Sequence, residues 1–331
     1  MPAPISLVEL RPQVGAEQIV ASLVPPPQFD GATFETYRPD TAHPSQGEAL
    51  QRMQELVGAW TKPKRGLFRK APEVKPGIYL DGGFGVGKTH LLAALWKAMP
   101  GPKVFGTFIE YTALVGALGY AETVQQLRGS SIVCIDEFEL DDPGDTMVMT
   151  RLLGELVANG TKLAATSNTP PNALGDGRFA ASDFLREITA IADRFQIMRI
   201  DGEDYRHRDI TGHAPVVDDD AIPGELDAID GTTALDDFDA LIAHLAHVHP
   251  SRYIGLVEGL RGLGLRGVRV LTDQNDALRF VALVDRLYDA QVALRASGTS
   301  LDQVFSEEML GGGYRKKYLR AISRLVALAN E

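Results

Sequence analysis

The sequence predicts an α/β fold: a parallel sheet of five strands covered by helices, with a small α/β module at the C-terminal end. Three observations support this prediction. Short apolar segments alternate with helical patterns between residues 77 and 200, which is typical of right-handed βαβ units. A glycine-rich turn joins the first apolar segment to a helical one. A second apolar periodicity over 236–331 indicates the separate module.

The N-terminal part of the chain, residues 1–60, is predicted to be a proline-rich arm followed by a helix before the core. The prolines lie in VPPPQF, and a helical pattern begins at Pro44 and runs to about Trp60. The core is expected over residues 61–213. Its strands are expected at 77–81, 103–109, 131–135, 161–166 and 196–200.

The composition changes after the core. Residues 214–235 are acidic and contain few large apolar side chains, so they are predicted to form a flexible linker or an inserted loop. Residues 236–331 are then expected to form the C-terminal module, with strands at 267–271 and 291–295.

The most specific motif is a phosphate-binding loop between the first strand and its helix. It consists of Gly82, Gly83, Phe84, Gly85, Val86, Gly87, Lys88 and Thr89, which match G-x-x-x-x-G-K-[ST]. The glycines let backbone N–H groups turn toward phosphate oxygens, and the helix N-terminus adds its positive dipole end. Lys88 is expected to reach the β- and γ-phosphates, and the Thr89 hydroxyl to ligate Mg²⁺. The sequence therefore predicts a P-loop protein that binds a nucleoside triphosphate.

Two carboxylates follow the strand predicted at 131–135. Asp136 is expected to hold Mg²⁺, directly or through water, and Glu137 to orient and deprotonate the attacking water. Metal binding and water activation need separate carboxylates, so this pair favours a hydrolase over a simple nucleotide-binding protein. The base-reading motif N-K-x-D of GTPases does not occur, which favours ATP as the nucleotide.

Further polar residues are candidates for contacting the γ-phosphate. In additional-strand (AAA+) ATPases a polar residue ends the next central strand, and Asn168 matches this position by spacing; alternatively, Asn168 only begins the turn that two prolines continue. The transition state also needs positive charge, commonly an arginine from a neighbouring subunit. Arg194 and Arg178 are the two candidates for this arginine, and Arg252 is a candidate for contacting the nucleotide in cis.

Composition limits the functional classes. The net charge of −11 argues against non-specific nucleic-acid binding by the whole molecule, although basic residues cluster at 62–70 and 315–324. No apolar run has the length of a membrane span, and the N-terminus lacks the layout of a signal peptide. The single cysteine, Cys134, lies in an apolar strand and suits a reducing compartment. We therefore expect a cytoplasmic protein.

Taken together, these motifs resemble the ZapE family of AAA+ ATPases, which includes mitochondrial AFG-like relatives. The resemblance is carried by YRPDTAHPSQGEAL, YLDGGFGVGKTHLLAALW, IDEFELDDPGDTMVMTRLL, DGEDYRHR and RFVALVDRLYDAQVAL. The first phrase resembles the helix that helps to form the family's adenine pocket. One departure is the loop GRFAASDFLREI, which has no arginine immediately before Phe184, so both candidates for the trans arginine stay open.

The resemblance implies an AAA+ core and a cytoplasmic MgATP hydrolase that assembles into a nucleotide-dependent homo-oligomer. It also implies a protein partner. In bacteria this would be the cell-division protein FtsZ, whose polymers the ATPase would destabilise, whereas the mitochondrial relatives are linked to protein turnover. A nucleic-acid-associated helicase loader of the DnaC type shares the same core and is the alternative; the acidic net charge disfavours it.

Overall fold

The computed structural model describes residues 3–331, apart from gaps at 13–14, 62–73, 84, 141–142, 171–173, 175–184 and 203–212. The chain divides into two compact units. The core unit is Ala16–Arg208, and the C-terminal unit combines Met1–Gly15 with Asp209–Glu331.

The core unit is built on a five-stranded parallel sheet, as the sequence predicts. The strands are β1 (Gly77–Gly82), β2 (Lys103–Thr107), β3 (Ile132–Asp136), β4 (Lys162–Ser167) and β5 (Phe195–Ile200). Their order across the sheet is β2-β3-β4-β1-β5, and every pair is parallel. This order brings the carboxyl ends of β1, β3 and β4 together at one edge, which is where parallel sheets bind ligands.

Helices connect and cover these strands. They are α1 (Ala16–Ala21), α2 (Pro44–Thr61), α3 (Lys88–Ala98), α4 (Phe108–Leu118), α5 (Tyr120–Leu127), α6 (Pro143–Ala158) and α7 (Leu185–Ala192). Helix α2 confirms the helix expected from Pro44. Every residue of β1 and β3 is buried, and their side chains pack with α2 and α3 in one apolar cluster that includes Met53, Leu91 and Cys134. Burial on both faces explains why these strands read as continuous apolar runs.

The C-terminal unit contains a second parallel sheet. Its strands are β6 (Thr232–Asp237), β7 (Leu260–Val268) and β8 (Ala293–Gly298), in that order. Its helices are α8 (Ile222–Asp227), α9 (Phe238–Leu245), α10 (Ile254–Val257), α11 (Gln274–Asp289), α12 (Glu307–Gly311) and α13 (Arg315–Ala329). The small α/β module therefore exists, but β7 begins well before the strand predicted at 267–271, and β8 extends past the one predicted at 291–295.

The segment 214–235 is folded, so the prediction of a flexible acidic linker is wrong. It contains α8 and the start of β6. Ile222 is fully buried, and a Cβ on Gly264 of β7 would lie 2.6 Å from its Cγ2 atom. The few apolar residues of this segment thus pack closely against glycines of β7, which the acidic composition conceals.

The first residues of the chain also belong to the C-terminal unit rather than to an arm before the core. Ile5 forms a parallel bridge with Ala234 at the outer side of β6. The Ser6 hydroxyl and the Leu7 N–H donate to the Asp236 carboxylate at 2.6 and 2.8 Å, and Leu7 is fully buried. We call residues 3–12 the N-terminal strap. Across the described ranges, no helix is long and apolar enough to cross a membrane.

Candidate active site

The phosphate-binding loop follows β1 and leads directly into α3. Gly87 caps α3 with a left-handed φ of 85°, and a Cβ at this position would lie 2.6 Å from Cε2 of Tyr37. The Tyr37 hydroxyl donates to the Val86 carbonyl at 3.2 Å. A Cβ on Gly82 would approach the Ile200 carbonyl oxygen to 2.1 Å. The turn therefore needs glycine at both positions; Phe84 lies outside the described residues.

Lys88 is the centre of positive charge at this edge of the sheet. Its ammonium donates to the Gly82 carbonyl and to Asn168 Oδ1, each at 2.9 Å, and also to the Gly83 carbonyl. The residue is 8% exposed. The structure thus places Asn168 beside Lys88, and its contact with the γ-phosphate or the attacking water stays a prediction.

Thr89 and Asp136 meet as the sequence predicts. The Thr89 hydroxyl lies 3.2 and 3.1 Å from the two carboxylate oxygens of Asp136. Burial raises the pKa of Asp136, and the neighbouring Glu137 charge adds to this, while hydrogen bonds from Thr166 and Thr89 oppose it. A buried carboxylate next to a hydroxyl is an oxygen-only donor pair of the kind that Mg²⁺ binds.

These residues fit a magnesium ion that has only two protein ligands. The described part of the chain contains no cluster of three or more His, Cys, Asp or Glu side chains that could hold a metal. Mg²⁺ commonly binds through one or two protein oxygens and completes its shell with water and substrate phosphates. The pair Thr89 and Asp136 matches that mode, as a site for MgATP requires.

Glu137 stands immediately after β3 in an uncommon backbone conformation. Its φ is 53°, the left-handed region that residues other than glycine rarely adopt. Its N–H donates to the Thr166 hydroxyl at 3.1 Å. Such conformations concentrate at functional sites, where the surrounding structure holds them in place.

The start of α2 and the residues that follow β5 lie beside the phosphate loop, because a Cβ on Gly202 would be 2.8 Å from Gln46 Nε2 and 2.9 Å from Val86 Cγ1. The Gln46 side chain accepts from the Asp40 N–H at 2.9 Å and donates to the Asp201 carbonyl at 3.0 Å. The Ser45 hydroxyl accepts from the Asp201 N–H at 2.9 Å. These bonds join the start of α2 to the end of β5, in the phrase that resembles the adenine-pocket helix.

A second buried carboxylate precedes the loop. Asp81 is 4% exposed, and burial raises its pKa, while Arg199, at 3.6 Å, opposes this shift. Asp81, Tyr37, Gln46 and Thr166 were not among the residues selected from the sequence. Each acts through a neighbour that is distant in the chain. The only local signal was the polar end of β4, where Thr166 stands two positions before Asn168.

The predicted arginines are not assembled at this site. The Arg194 side chain donates to the Ala190 carbonyl, and its own carbonyl accepts from Gly77 at 3.1 Å. Gly77 begins β1, whereas the phosphate loop follows the end of β1 about 17 Å away at 3.3 Å per residue. Arg194 thus lies at the opposite edge of the sheet from its own chain's loop, and its role in trans stays a prediction.

The other two arginines also remain predictions. Arg178 lies outside the described residues. Arg252 ends a short 3-10 turn, Pro250–Arg252, in the C-terminal unit, where its N–H donates to the His249 carbonyl at 2.8 Å.

Comparisons with known proteins give a family match over most of the chain. A family model described as AFG1-like ATPase matches residues 14–222 and 223–331. The cell division protein ZapE of Escherichia coli (strain K12) is 27% identical over 372 aligned positions, covering 94% of this chain and 97% of its own length. An uncharacterized protein of Schizosaccharomyces pombe, C115.02c, is 22% identical over 50% of this chain and 43% of its own.

Solved structures give weaker similarity. The crystal structure of the DnaC helicase loader aligns with a TM-score of 0.37 and 20% identity over 53% of this chain and 99% of its own. The replication initiator DnaA bound to AMPPCP and single-stranded DNA aligns with a TM-score of 0.41 and 12% identity, over 90% and 87% of the two chains.

Proposed function

The chain belongs to the AFG1-like ATPase family, and we propose that it hydrolyses MgATP and uses the cycle to remodel a protein partner. The observation that carries this proposal is the convergence of four side chains at one edge of the core sheet. These side chains are Lys88, Thr89, Asp136 and Asn168. Glu137 follows Asp136 directly and supplies the base that hydrolysis needs.

In this proposal each residue has one task. The loop N–H groups and the start of α3 bind the triphosphate. Lys88 exchanges some of its present acceptors for phosphate oxygens. Thr89 and Asp136 hold Mg²⁺, which when bound neutralises charge on the phosphates. Glu137 takes a proton from water as the water oxygen bonds to the γ-phosphorus and the bond to the leaving ADP oxygen breaks.

Asn168 connects the γ-phosphate position to the rest of the sheet. Its Oδ1 accepts from the Lys88 ammonium, so a phosphate that draws Lys88 away changes the Asn168 contact as well. We propose that Asn168 contacts the γ-phosphate or the attacking water and thereby distinguishes ATP from ADP.

The proposal for the partner and the assembly is supported by the family to which the chain belongs. We propose a cytoplasmic homo-oligomer that assembles with nucleotide, in which Arg194 or Arg178 completes the neighbouring site, and Arg252 contacts nucleotide in cis. The similarity to a cell division protein supports FtsZ polymers as the substrate, with destabilisation as the outcome. A quality-control role on other proteins is the alternative within the family.

A nucleic-acid role has less support. Two of the five basic residues in the 315–324 cluster are already paired within the C-terminal unit, because Arg320 and Arg324 both donate to Asp285. The other basic cluster, 62–70, lies entirely outside the described residues. Salt-sensitive binding to single-stranded DNA that is lost on neutralising either cluster would favour the helicase-loader alternative.

The test is steady-state ATP hydrolysis against protein concentration for wild type and Glu137→Gln. We expect specific activity that rises with concentration and a kcat at least about 100-fold lower in the variant, with binding of a fluorescent ATP analogue retained. The matched control is Glu122→Gln on α5, away from the loop. Normal turnover by Glu137→Gln would contradict the proposal, and turnover independent of concentration would contradict the shared site.

A further inference from the structure

Thr166 holds three consecutive residues at the end of β3. It stands near the end of β4, one position beyond the registered pair Ile135 and Ala165, and is 1% exposed. Its hydroxyl donates to Asp136 Oδ1 and accepts from the Glu137 N–H at 3.1 Å. Its carbonyl accepts from the Phe138 N–H at 2.6 Å.

The hydroxyl uses its only proton and one of its two lone pairs in this arrangement. A threonine hydroxyl has one proton to donate and lone pairs to accept. Here the proton goes to the carboxylate of Asp136 and a lone pair receives the amide of Glu137. The same oxygen therefore links the predicted metal ligand to the backbone of the predicted general base.

The backbone at Glu137 needs such support. Its φ of 53° is rarely adopted by residues other than glycine, and it persists only where the surroundings favour it. The φ angle sets the direction in which the Glu137 side chain leaves the backbone. Because catalysis depends on placing the base within hydrogen-bond reach of the attacking water, a small rotation here affects the chemical step.

We infer that Thr166 is a positioning residue: its hydroxyl holds the left-handed backbone at Glu137 and so aims that carboxylate at the attacking water. This inference rests on the proposed ATP hydrolysis. Thr166 itself does not reach the nucleotide in this role. It acts on kcat through Glu137, and its removal leaves the phosphate loop and Lys88 in place.

The experiment compares Thr166→Val, which removes only the hydroxyl, with Thr166→Ser, which keeps it. Thr161→Val is the matched control, because Thr161 is 2% exposed just before the same strand and its hydroxyl has no hydrogen-bond partner in the described part of the chain. We expect kcat to fall about 10- to 100-fold in Thr166→Val, with ATP affinity within about threefold. Thr166→Ser and Thr161→Val should stay within about threefold of wild-type kcat.

A second readout does not depend on activity. Amide exchange at Glu137 should be at least about tenfold faster in Thr166→Val than in wild type, and unchanged in Thr161→Val, since only the first substitution removes an acceptor. Should Thr166→Val fail to fold by circular dichroism, Thr166→Ala replaces it as the variant without a hydroxyl.

Three results would overturn the inference. These are wild-type kcat without the hydroxyl, equal losses in Thr166→Val and Thr166→Ser, or a loss confined to ATP affinity. If wild type itself does not hydrolyse ATP with any partner, the proposed function fails. Amide exchange then still decides whether Thr166 holds the Glu137 backbone, with unchanged exchange counting against it.

Discussion

Replacing Asp285 by Asn should destabilise the C-terminal unit by about 3 kcal/mol. Asp285 lies on α11 and accepts from two arginines of α13, with Arg320 Nη2 at 2.9 Å and Arg324 Nη1 in direct contact. The three side chains are only 20, 9 and 19% exposed. This carboxylate therefore offsets part of the charge of two largely buried cations at the contact between the two helices.

The expected loss of stability follows from the two arginine charges that remain in Asp285→Asn. Removing one partner of a buried ion pair typically costs about 3–5 kcal/mol, because the remaining charge stays buried after it has lost the opposite charge of that partner. Asparagine keeps the shape but offers one oxygen to two guanidinium groups. Partial exposure of the site places the expected value near 3 kcal/mol, the lower end of that range.

The assay is urea unfolding followed by circular dichroism, with Asp276→Asn as the control on the same helix. Asp276 pairs with Arg279 at 3.2 Å, but both side chains are about a third exposed, so that substitution should cost about 1 kcal/mol or less. Both tryptophans, Trp60 and Trp96, lie in the core unit, so fluorescence reports on that unit separately. A loss of unfolding free energy in Asp285→Asn that is no larger than the loss in Asp276→Asn would refute the reasoning.

The ion pairs of Asp285 with Arg320 and Arg324 make the stability of the C-terminal unit depend on pH. Burial alone would raise the pKa of Asp285, but Arg320 and Arg324 outweigh it and hold the pKa below its usual value. A depressed folded-state pKa gives stability that is present above the unfolded pKa of about 3.9 and is lost as pH falls through the folded value. The difference in the free energy of unfolding between wild type and Asp285→Asn should thus stay constant from about pH 5 to 8. A difference that disappears within that range would contradict the pairing.

Two further predictions concern the phosphate loop and the N-terminal strap. Tyr37→Phe removes the donor to the Val86 carbonyl and should weaken binding of a fluorescent ATP analogue about three- to tenfold; an unchanged Kd would show that this bond does not support the loop. Leu7→Ala should cost about 2–5 kcal/mol in urea unfolding because Leu7 is fully buried. The control Ile5→Ala should cost less, since Ile5 is 41% exposed, and equal losses would contradict burial of the strap.

The core sheet was predictable because its signals are local. Each strand is a short apolar run bounded by turn residues, and the structure places all five within two residues of the expected ends. The C-terminal sheet was harder to predict. Glycines at 262, 264 and 267 interrupt the apolar pattern of β7. Those at 262 and 264 leave room for side chains of α8, whose own apolar residues are sparse. Neither β7 nor α8 is evident from the sequence, because the glycines of the strand make sense only when the helix packs on them.

The residues of the candidate active site also fall into two groups, those that contiguous motifs reveal and those that only the structure reveals. The phosphate loop, Asp136 and Glu137 are contiguous motifs, and their tasks follow from chemistry that the residue types dictate. Thr166 and Tyr37 instead act across 29 and 49 positions of the chain, and Gln46 reaches Asp201 across 155. Apart from the polar end of β4 that contains Thr166, nothing in the sequence distinguishes these polar residues from others on loops and strand ends.

The strap has a consequence for the order in which the chain is made. Ser6 and Leu7 bind Asp236, 230 and 229 positions later. At about 5–20 residues per second, synthesis of the intervening chain takes roughly 10–50 s. During that time Leu7 has left the ribosome without its binding surface, while the whole core unit is translated behind it. The strap can therefore dock only after β6 emerges, so it reaches its native place after the core unit has been made, although it is synthesised before that unit.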